Sequence, residues 1–346
     1  MATWLITGCS TGLGRALAQA VLAHGHNAVV TARNVTALQD IAAAFPQTAL
    51  ALPLDVTDKA QITSVVEQAR TRFGGIDVHV RVQGSGPPLL LIHGLMTSSY
   101  SWRYVLEAFA QHYTVYAPDL PGSGQTGKPR VRYGAEETAA FIGELMDALG
   151  ITGCDVVGNS MGGYLCMRLA LARPDSMRAL VNIHSPGVPE LRLHALRWAL
   201  AIPGVRAGLS WWVRRDPLKW VFANVHYRDE SLKSREEAHA YGDPLADRDG
   251  ADAFVSILGD TLRPAEMAGF QRALRALKDA GAPFPVPLLL LWAREDPMVP
   301  PRFGPLFAER IPSAELRWVE DASHFAHVDQ PAATVAPILE FFARQG

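Results

Sequence analysis

Residues 158–163 read Gly158-Asn159-Ser160-Met161-Gly162-Gly163, after the apolar run Asp155-Val156-Val157 and before a helical stretch, Tyr164–Leu171. A serine with glycines two before and two after it, between a buried strand and a helix, sits on a tight, strained turn. The glycines keep side chains out of the corner, and the hydroxyl stands at the positive end of the helix dipole. A serine hydroxyl is a weak nucleophile until a base takes its proton, and the base needs an acid to orient it. Downstream, the strand-like Leu288–Trp292 is followed by Glu295 and Asp296, and Leu316–Val319 is followed by Ser323 and His324. Serine, acid and histidine in that chain order, with acid and base just past the C-terminal ends of strands, is the layout acyl transfer uses on an open parallel sheet. His324 is expected as the base. His327, three residues on, is a rival expected to face a helix or the pocket wall, and either Glu295 or Asp296 can serve as the acid. The remaining histidines, such as His112 and His239, read as ordinary. Two main-chain N–H groups must receive the oxyanion. Met161 supplies one, and Leu95, with Met96 as second choice, supplies the other from the segment His93-Gly94-Leu95-Met96 after the apolar run Leu89–Ile92.

A second chemical segment stands at the N-terminus. Thr7-Gly8-Cys9-Ser10-Thr11-Gly12-Leu13-Gly14 lies between a strand and a helix. Glycines there let a backbone approach a pyrophosphate placed on the helix N-terminus.

The elements that must position these groups fall into two pieces. Residues 1 to about 75 alternate strand and helix: Thr3–Thr7, Arg15–His24, Asn27–Thr31, Asn34–Phe45 capped by Asn34, Ala49–Leu54, and a helix from Asp58 to Phe73 stopped by Gly74-Gly75. This is a three-strand βαβαβα half-Rossmann fragment. From residue 76 the pattern changes: Ile76–Val82 alternates like an antiparallel strand, and Leu89–Ile92 is a continuous apolar run, as a buried strand should be. Further buried strands are expected at Thr114–Ala117, Asp155–Val157, Ala179–Ile183, Pro287–Trp292 and Glu315–Val319. Residues of about 188–283 break that rhythm with helical, Trp- and Arg-rich text and read as an inserted cap. Its Trp198, Trp211, Trp212, Trp220 and Phe222 are expected to form either an apolar substrate pocket or the cap's own core, with Arg214 and Arg215 solvated.

Composition narrows the classes. The 346 residues carry 32 Lys+Arg against 34 Asp+Glu, a net charge of −2, which disfavours a nucleic-acid partner. Apolar residues make up 49%, enough for a packed core. No apolar run is long enough to span a membrane, and the N-terminus lacks the basic region of a secretion signal. The three cysteines, Cys9, Cys154 and Cys166, show no metal-ligand spacing and suit a reducing, cytoplasmic setting. Neither metal nor cofactor is expected in the chemistry.

With His93-Gly94, Asp119-Leu120-Pro121-Gly122-Ser123-Gly124, the turn at Ser160, Trp292…Asp296 and Ser323-His324-Phe325 in order, residues 76–346 resemble the α/β-hydrolase family. The resemblance implies an α/β-hydrolase sheet with a helical cap, and it selects Asp296, which precedes the Pro297 turn, as the acid. Ser323 stands where the family usually has glycine. Ser98-Ser99-Tyr100-Ser101-Trp102-Arg103 resembles haloalkane dehalogenases and epoxide hydrolases, but those carry aspartate where this chain has Ser160. An acyl-serine intermediate is therefore implied. A carboxylic ester hydrolase acting on small to medium acyl chains is the leading expectation. Alternatives are a carbon–carbon bond hydrolase of aromatic breakdown, suggested by Asn159 and Met161-Gly162-Gly163, and a cofactor-free perhydrolase or acyltransferase.

Residues 1–75 resemble the opening of the short-chain dehydrogenase/reductase family. Arg33 is placed as that family places its NADP 2′-phosphate contact, and Asp55-Val56 as its adenine-side contact. The chain has no Tyr-x-x-x-Lys, and His79-Val80-Arg81-Val82 stands where an Asn-Asn-Ala-Gly stretch should be, so an NADP-dependent reductase is disfavoured. Without the fragment's fourth strand, the strand at Trp4–Thr7 is left as an open edge, which predicts a homodimer through this fragment. Otherwise Ile76–Val82 would fold back to fill the gap and the hydrolase would lose its first strand.

Overall fold

The computed structural model describes residues 3–73 and 77–346. They form two compact units, Met1–Asp77 and Val78–Gly346. The junction expected at residues 75–76 and the Gly74-Gly75 helix stop lie outside the described residues.

In the first unit, β1 (Thr3–Ile6), α1 (Gly12–Ala23), β2 (Asn27–Ala32), α2 (Gln39–Ala44), β3 (Ala49–Pro53) and α3 (Lys59–Phe73) build a parallel sheet ordered β1-β2-β3. The middle of the central strand β2, Ala28 to Val30, is apolar because both its faces are covered: Val30 packs with Ile6 and Leu22, and Val29 with Leu52 and Val65. Asn34 caps a short 3-10 helix, Val35–Leu38, rather than one continuous helix, its side chain accepting the Thr36 N–H. The helix α2 begins only at Gln39. Asp58 starts α3 by accepting the Ala60 and Gln61 N–H groups at 2.9 and 3.2 Å.

In the second unit the order is β4 (Val80–Gly84), β5 (Pro88–Ile92), α4 (Leu106–Ala110), β6 (Thr114–Pro118), α5 (Ala135–Leu149), β7 (Cys154–Asn159), α6 (Met161–Ala172) and β8 (Met177–Ile183). Six cap helices follow: α7 (Leu191–Ala201), α8 (Val205–Arg215), α9 (Pro217–Asn224), α10 (Arg235–Gly242), α11 (Arg248–Thr261) and α12 (Pro264–Asp279). The sheet resumes with β9 (Leu288–Ala293), α13 (Phe303–Arg310), β10 (Glu315–Val319), α14 (Ala326–Asp329) and α15 (Pro331–Ala343).

The sheet runs β10-β9-β8-β7-β5-β6-β4, parallel except for β4, which pairs antiparallel with β6 from Val80↔Pro118 to Gly84↔Thr114. The strand expected at Ile76–Val82 thus begins four residues later and belongs to the hydrolase sheet. It does not fill the gap beside β1, which stays an edge strand paired with β2 alone among the described residues. Alternate residues of the inner strands feed two cores: Leu90, Val156, Leu180 and Leu290 on one face, Leu91, Val157, Val181 and Leu291 on the other. Strand order reverses between β5 and β7, so the loops after these two strands open a crevice at the sheet's switch point.

Candidate active site

The turn after β7 is built by close approach. Ser160 has φ 53°, a strained value for a residue with a Cβ. Its N–H is tied to Ile183 O at 2.7 Å, and its carbonyl accepts the Tyr164 N–H as α6 begins. A Cβ on Gly158 would lie 2.6 Å from Gly163, and one on Gly162 would lie 2.6 Å from His93 O, so both positions exclude any larger residue. The loop after β5 runs against this turn: a Cβ on Gly94 would be 3.1 Å from Ser160 Cβ. His93 fixes that loop. It is fully buried, its Nε2 accepts the Leu120 N–H at 2.9 Å, and its Nδ1 donates to Gly94 O at 2.8 Å. Burial pushes its pKa down, which suits this neutral tautomer.

Asp296 and His324 come from the loops after β9 and β10 and meet with Nδ1 to Oδ2 at 2.7 Å. Asp296 is buried, and its Oδ1 accepts the Met298 and Val299 N–H groups at 2.7 and 2.8 Å. Burial opposes its charge, but the His324 and His184 imidazoles outweigh that cost and hold the carboxyl well below the usual range. Asn159, next to Ser160, donates to His324 O at 3.3 Å and ties the two loops together. Ser323, in the place of the usual glycine, turns its hydroxyl to Asp329 Oδ2 at 2.9 Å. Ser160, His324, Gly94, Leu95, Met96 and Met161 all line one cavity of about 580 Å3. Most of its remaining wall is apolar, from Val188, Leu193, Leu196, Trp220, Phe254, Leu258 and Phe303.

His184 is the residue that reading by motif missed. It follows Ile183 directly at the end of β8, with φ 53° and a fully buried ring. Its Nε2 accepts the Ala293 N–H at 3.2 Å, which leaves Nδ1–H to donate to Asp296 Oδ2 at 3.1 Å. Burial lowers its pKa, in keeping with a neutral donor. The available signal was position alone: a polar residue just past the C-terminal end of a central buried strand.

The rivals separate cleanly. Glu295 is exposed and paired with Arg228 at 3.0 Å. His327 does not line the cavity. It is fully buried against Trp102, ring centroids 4.4 Å apart, with neither nitrogen hydrogen-bonded among the described residues, and burial pushes its pKa well down. Of the five cap aromatics expected from the sequence, Trp220 lines the cavity. Trp198, Trp211, Trp212 and Phe222 are exposed, so they form neither the pocket nor the cap's core. These helices carry apolar residues on more than one face, and composition could not tell which face turns inward.

A family profile described as alpha/beta hydrolase fold matches residues 87–331. The chain belongs to the α/β-hydrolase family. A second profile, short chain dehydrogenase, matches residues 2–92 of this hydrolase. That likeness runs past the first compact unit and through β4 and β5, strands that lie in the hydrolase sheet. A Mycobacterium tuberculosis protein of uncharacterized activity is 30% identical over 272 residues, 75% of this chain and 76% of that one. A pimeloyl-[acyl-carrier protein] methyl ester esterase of Aeromonas hydrophila is 29% identical over 277 residues, covering 77% and 99%. A 2-hydroxy-6-oxo-2,4-heptadienoate hydrolase of Pseudomonas putida is 26% identical over 282 residues, covering 79% and 95%. An esterase structure from Thermogutta terrifontis shares the fold, with a TM-score of 0.64 at 21% identity over 79% of this chain and 95% of that one.

In the first unit, the glycine turn has the shape of a phosphate-binding turn. Gly8 and Gly12 have φ 67° and 64°, and a Cβ on Gly14 would lie 2.6 Å from Thr7 O. Asp55, the expected adenine-side contact, instead spends its Oδ1 on the Thr57 N–H and hydroxyl at 2.9 and 2.7 Å. With no Tyr-x-x-x-Lys in the chain to protonate a substrate oxygen, the unit does not fit an NADP-dependent reductase, and no step runs through a nucleotide.

Proposed function

We propose that the hydrolase cleaves carboxylic esters of small to medium acyl chain through an acyl-serine intermediate, with Ser160, His324 and Asp296 as nucleophile, base and acid. The observation that carries this reading is the buried Asp296–His324 pair at 2.7 Å opening on the same cavity as the strained Ser160 turn. Ser160 Oγ adds to the ester carbonyl carbon while His324 Nε2 takes its proton. The Leu95 and Met161 N–H groups receive the charge that develops on the carbonyl oxygen. Collapse breaks the C–O bond, and His324 returns the proton to the leaving alcohol. A water molecule, deprotonated by His324, then releases the acid and restores Ser160. Asp296 stays ionised throughout and holds His324 with Nδ1–H inward. The apolar wall suits an acyl chain, and the relative named as a methyl ester esterase supports ester chemistry.

The relative named as a heptadienoate hydrolase favours a second reading, carbon–carbon bond cleavage in the same pocket. A panel of chromogenic esters of rising acyl length separates the two. Turnover of short and medium esters, lost by several orders of magnitude in Ser160→Ala, supports the ester reading. No ester turnover together with cleavage of a vinylogous diketone supports the second.

We further assign residues 1–75 no catalytic part and infer that their open edge pairs two chains. Trp4 and Leu5 of β1 are 40% and 45% exposed, an apolar edge suited to strand addition. Deleting residues 1–75 is expected to leave a monomer in solution; a truncated protein that is as dimeric as the full chain refutes the pairing. The three unpaired, buried thiols suit a cytoplasmic setting.

A further inference from the structure

The cap presents a solvent face that its own packing does not explain. The helix α7 turns Leu193, Leu196 and Leu200 toward the cavity and the cap interior. Its opposite face is also apolar: Leu191, Ala195, Trp198 and Ile202 recur at helical spacing, and Leu191, Trp198 and Ile202 are 85%, 76% and 57% exposed. Two opposite apolar faces on one helix leave one of them without a partner inside the fold, and here that face lies at the surface. The neighbouring helix α8, packed on α7, repeats the pattern, with Ser210 and Val213 buried and Trp211 and Trp212 55% and 68% exposed. The Arg215 guanidinium lies 5.4 Å from the Trp211 ring centroid.

Charge identifies the partner. Residues 191–224 hold six basic side chains against one acid, Asp216, a net +5 in a chain whose total is −2. Arg192 and Arg206 are engaged by Glu190 and Asp260, whereas Arg197, Arg214, Arg215 and Lys219 make no ion pair among the described residues. Exposed tryptophans interleaved with unpaired cations match an interface whose apolar layer lies beneath a layer of anions. Like-charge repulsion disfavours a second copy of the face as partner.

We infer that α7 and α8 dock on an anionic phospholipid surface, with Trp198, Trp211 and Trp212 at the acyl boundary and the arginines among the phosphates. The inner face of α7 walls the cavity through Leu193 and Leu196, so the docked face and the pocket share this helix. That the docked enzyme draws an apolar ester from the surface rests on the ester reading above; docking itself does not.

The test is co-flotation of the full chain with phosphatidylcholine vesicles and with vesicles holding about 30 mol% phosphatidylglycerol. Binding to the anionic vesicles alone, weakened by salt, is expected. Arg214→Gln with Arg215→Gln should lower the partition coefficient roughly 30-fold, and Trp211→Ser with Trp212→Ser about tenfold or more. Both variants should keep wild-type turnover of a water-soluble ester, which separates lost docking from lost folding, and Ser160→Ala should bind as wild type. No anionic binding overturns the inference. So does equal binding to both vesicle types, equal binding by the variants, or a dimer abolished by the tryptophan changes. Docking that persists in a chain inactive on every ester refutes the ester reading and leaves the surface standing.

Discussion

Replacing His184 by alanine should reveal how much of the active-site geometry rests on one unforeseen imidazole. Asp296 is held by four donors: Met298 and Val299 N–H on Oδ1, and His324 and His184 Nδ1–H on Oδ2. The change removes one of them and leaves the Ala293 N–H without its acceptor in a fully buried site. A hydrogen bond to a charged group contributes about 1.5–3 kcal/mol, and an orphaned buried donor costs about 1–3 kcal/mol. Their overlap with an unfilled ring volume predicts a stability loss of about 3–4 kcal/mol. The two amides still fix Oδ1, so kcat/KM should fall only about tenfold. The loss must depend on pH in one direction. The Asp296 pKa is depressed by folding, so its contribution is present above the unfolded value near 4 and disappears as pH falls through the folded value. Losing a donor raises the folded value, so the deficit of the variant should be full at pH 7 and shrink below about pH 4. Urea unfolding followed by tryptophan fluorescence at both pH values reads this, and His184→Asn, able to donate, should recover part of the activity. A folded His184→Ala enzyme with kcat/KM within about twofold of wild type would refute the reasoning.

Asp296→Asn keeps the shape but removes the charge that fixes the His324 tautomer, and kcat should fall about 10³–10⁴-fold with KM little changed, as in other triads. Gly162→Ala forces a Cβ to within 2.6 Å of His93 O and should cost about 1–3 kcal/mol by urea unfolding, together with most of the activity. Gly208→Ala, in α8 with nothing within 4 Å of the added carbon, should instead stabilise by about 0.5–1 kcal/mol. Glu237 on α10 pairs with Arg103 at 3.0 Å and accepts the Tyr227 hydroxyl, both in a buried setting between the β5–α4 segment and the cap. Glu237→Ala strands the Arg103 charge and should lower stability by about 3–5 kcal/mol in the same assay.

What the amino-acid order made legible was whatever is local. The strands of the hydrolase sheet are apolar runs because both faces are covered, and the Ser160 turn needs glycines at Gly158 and Gly162 because backbone occupies the space of a side chain. Asp296 and His324 stood out in the sequence because each lies within a few residues of the end of its strand. His184 did not, since its role exists only where the ends of β8 and β9 meet. Trp198, Trp211 and Trp212 were misplaced for a related reason: a helix apolar on opposite faces has no periodicity that says which face is wet. Asn34 promised a continuous helix, and the chain spent the cap on a 3-10 turn before α2. The strand Val80–Gly84 was read four residues early because its alternation continues backward into Ile76–His79, and only pairing with β6 defines where it starts.

The central claim is that Ser160 is made nucleophilic by His324. Intact-mass measurement after treatment with a fluorophosphonate tests it most directly. A single adduct on Ser160 is expected, absent in Ser160→Ala and slowed by at least about a thousandfold in His324→Ala. Labelling of another residue, or labelling of Ser160 at an unchanged rate without His324, would contradict it.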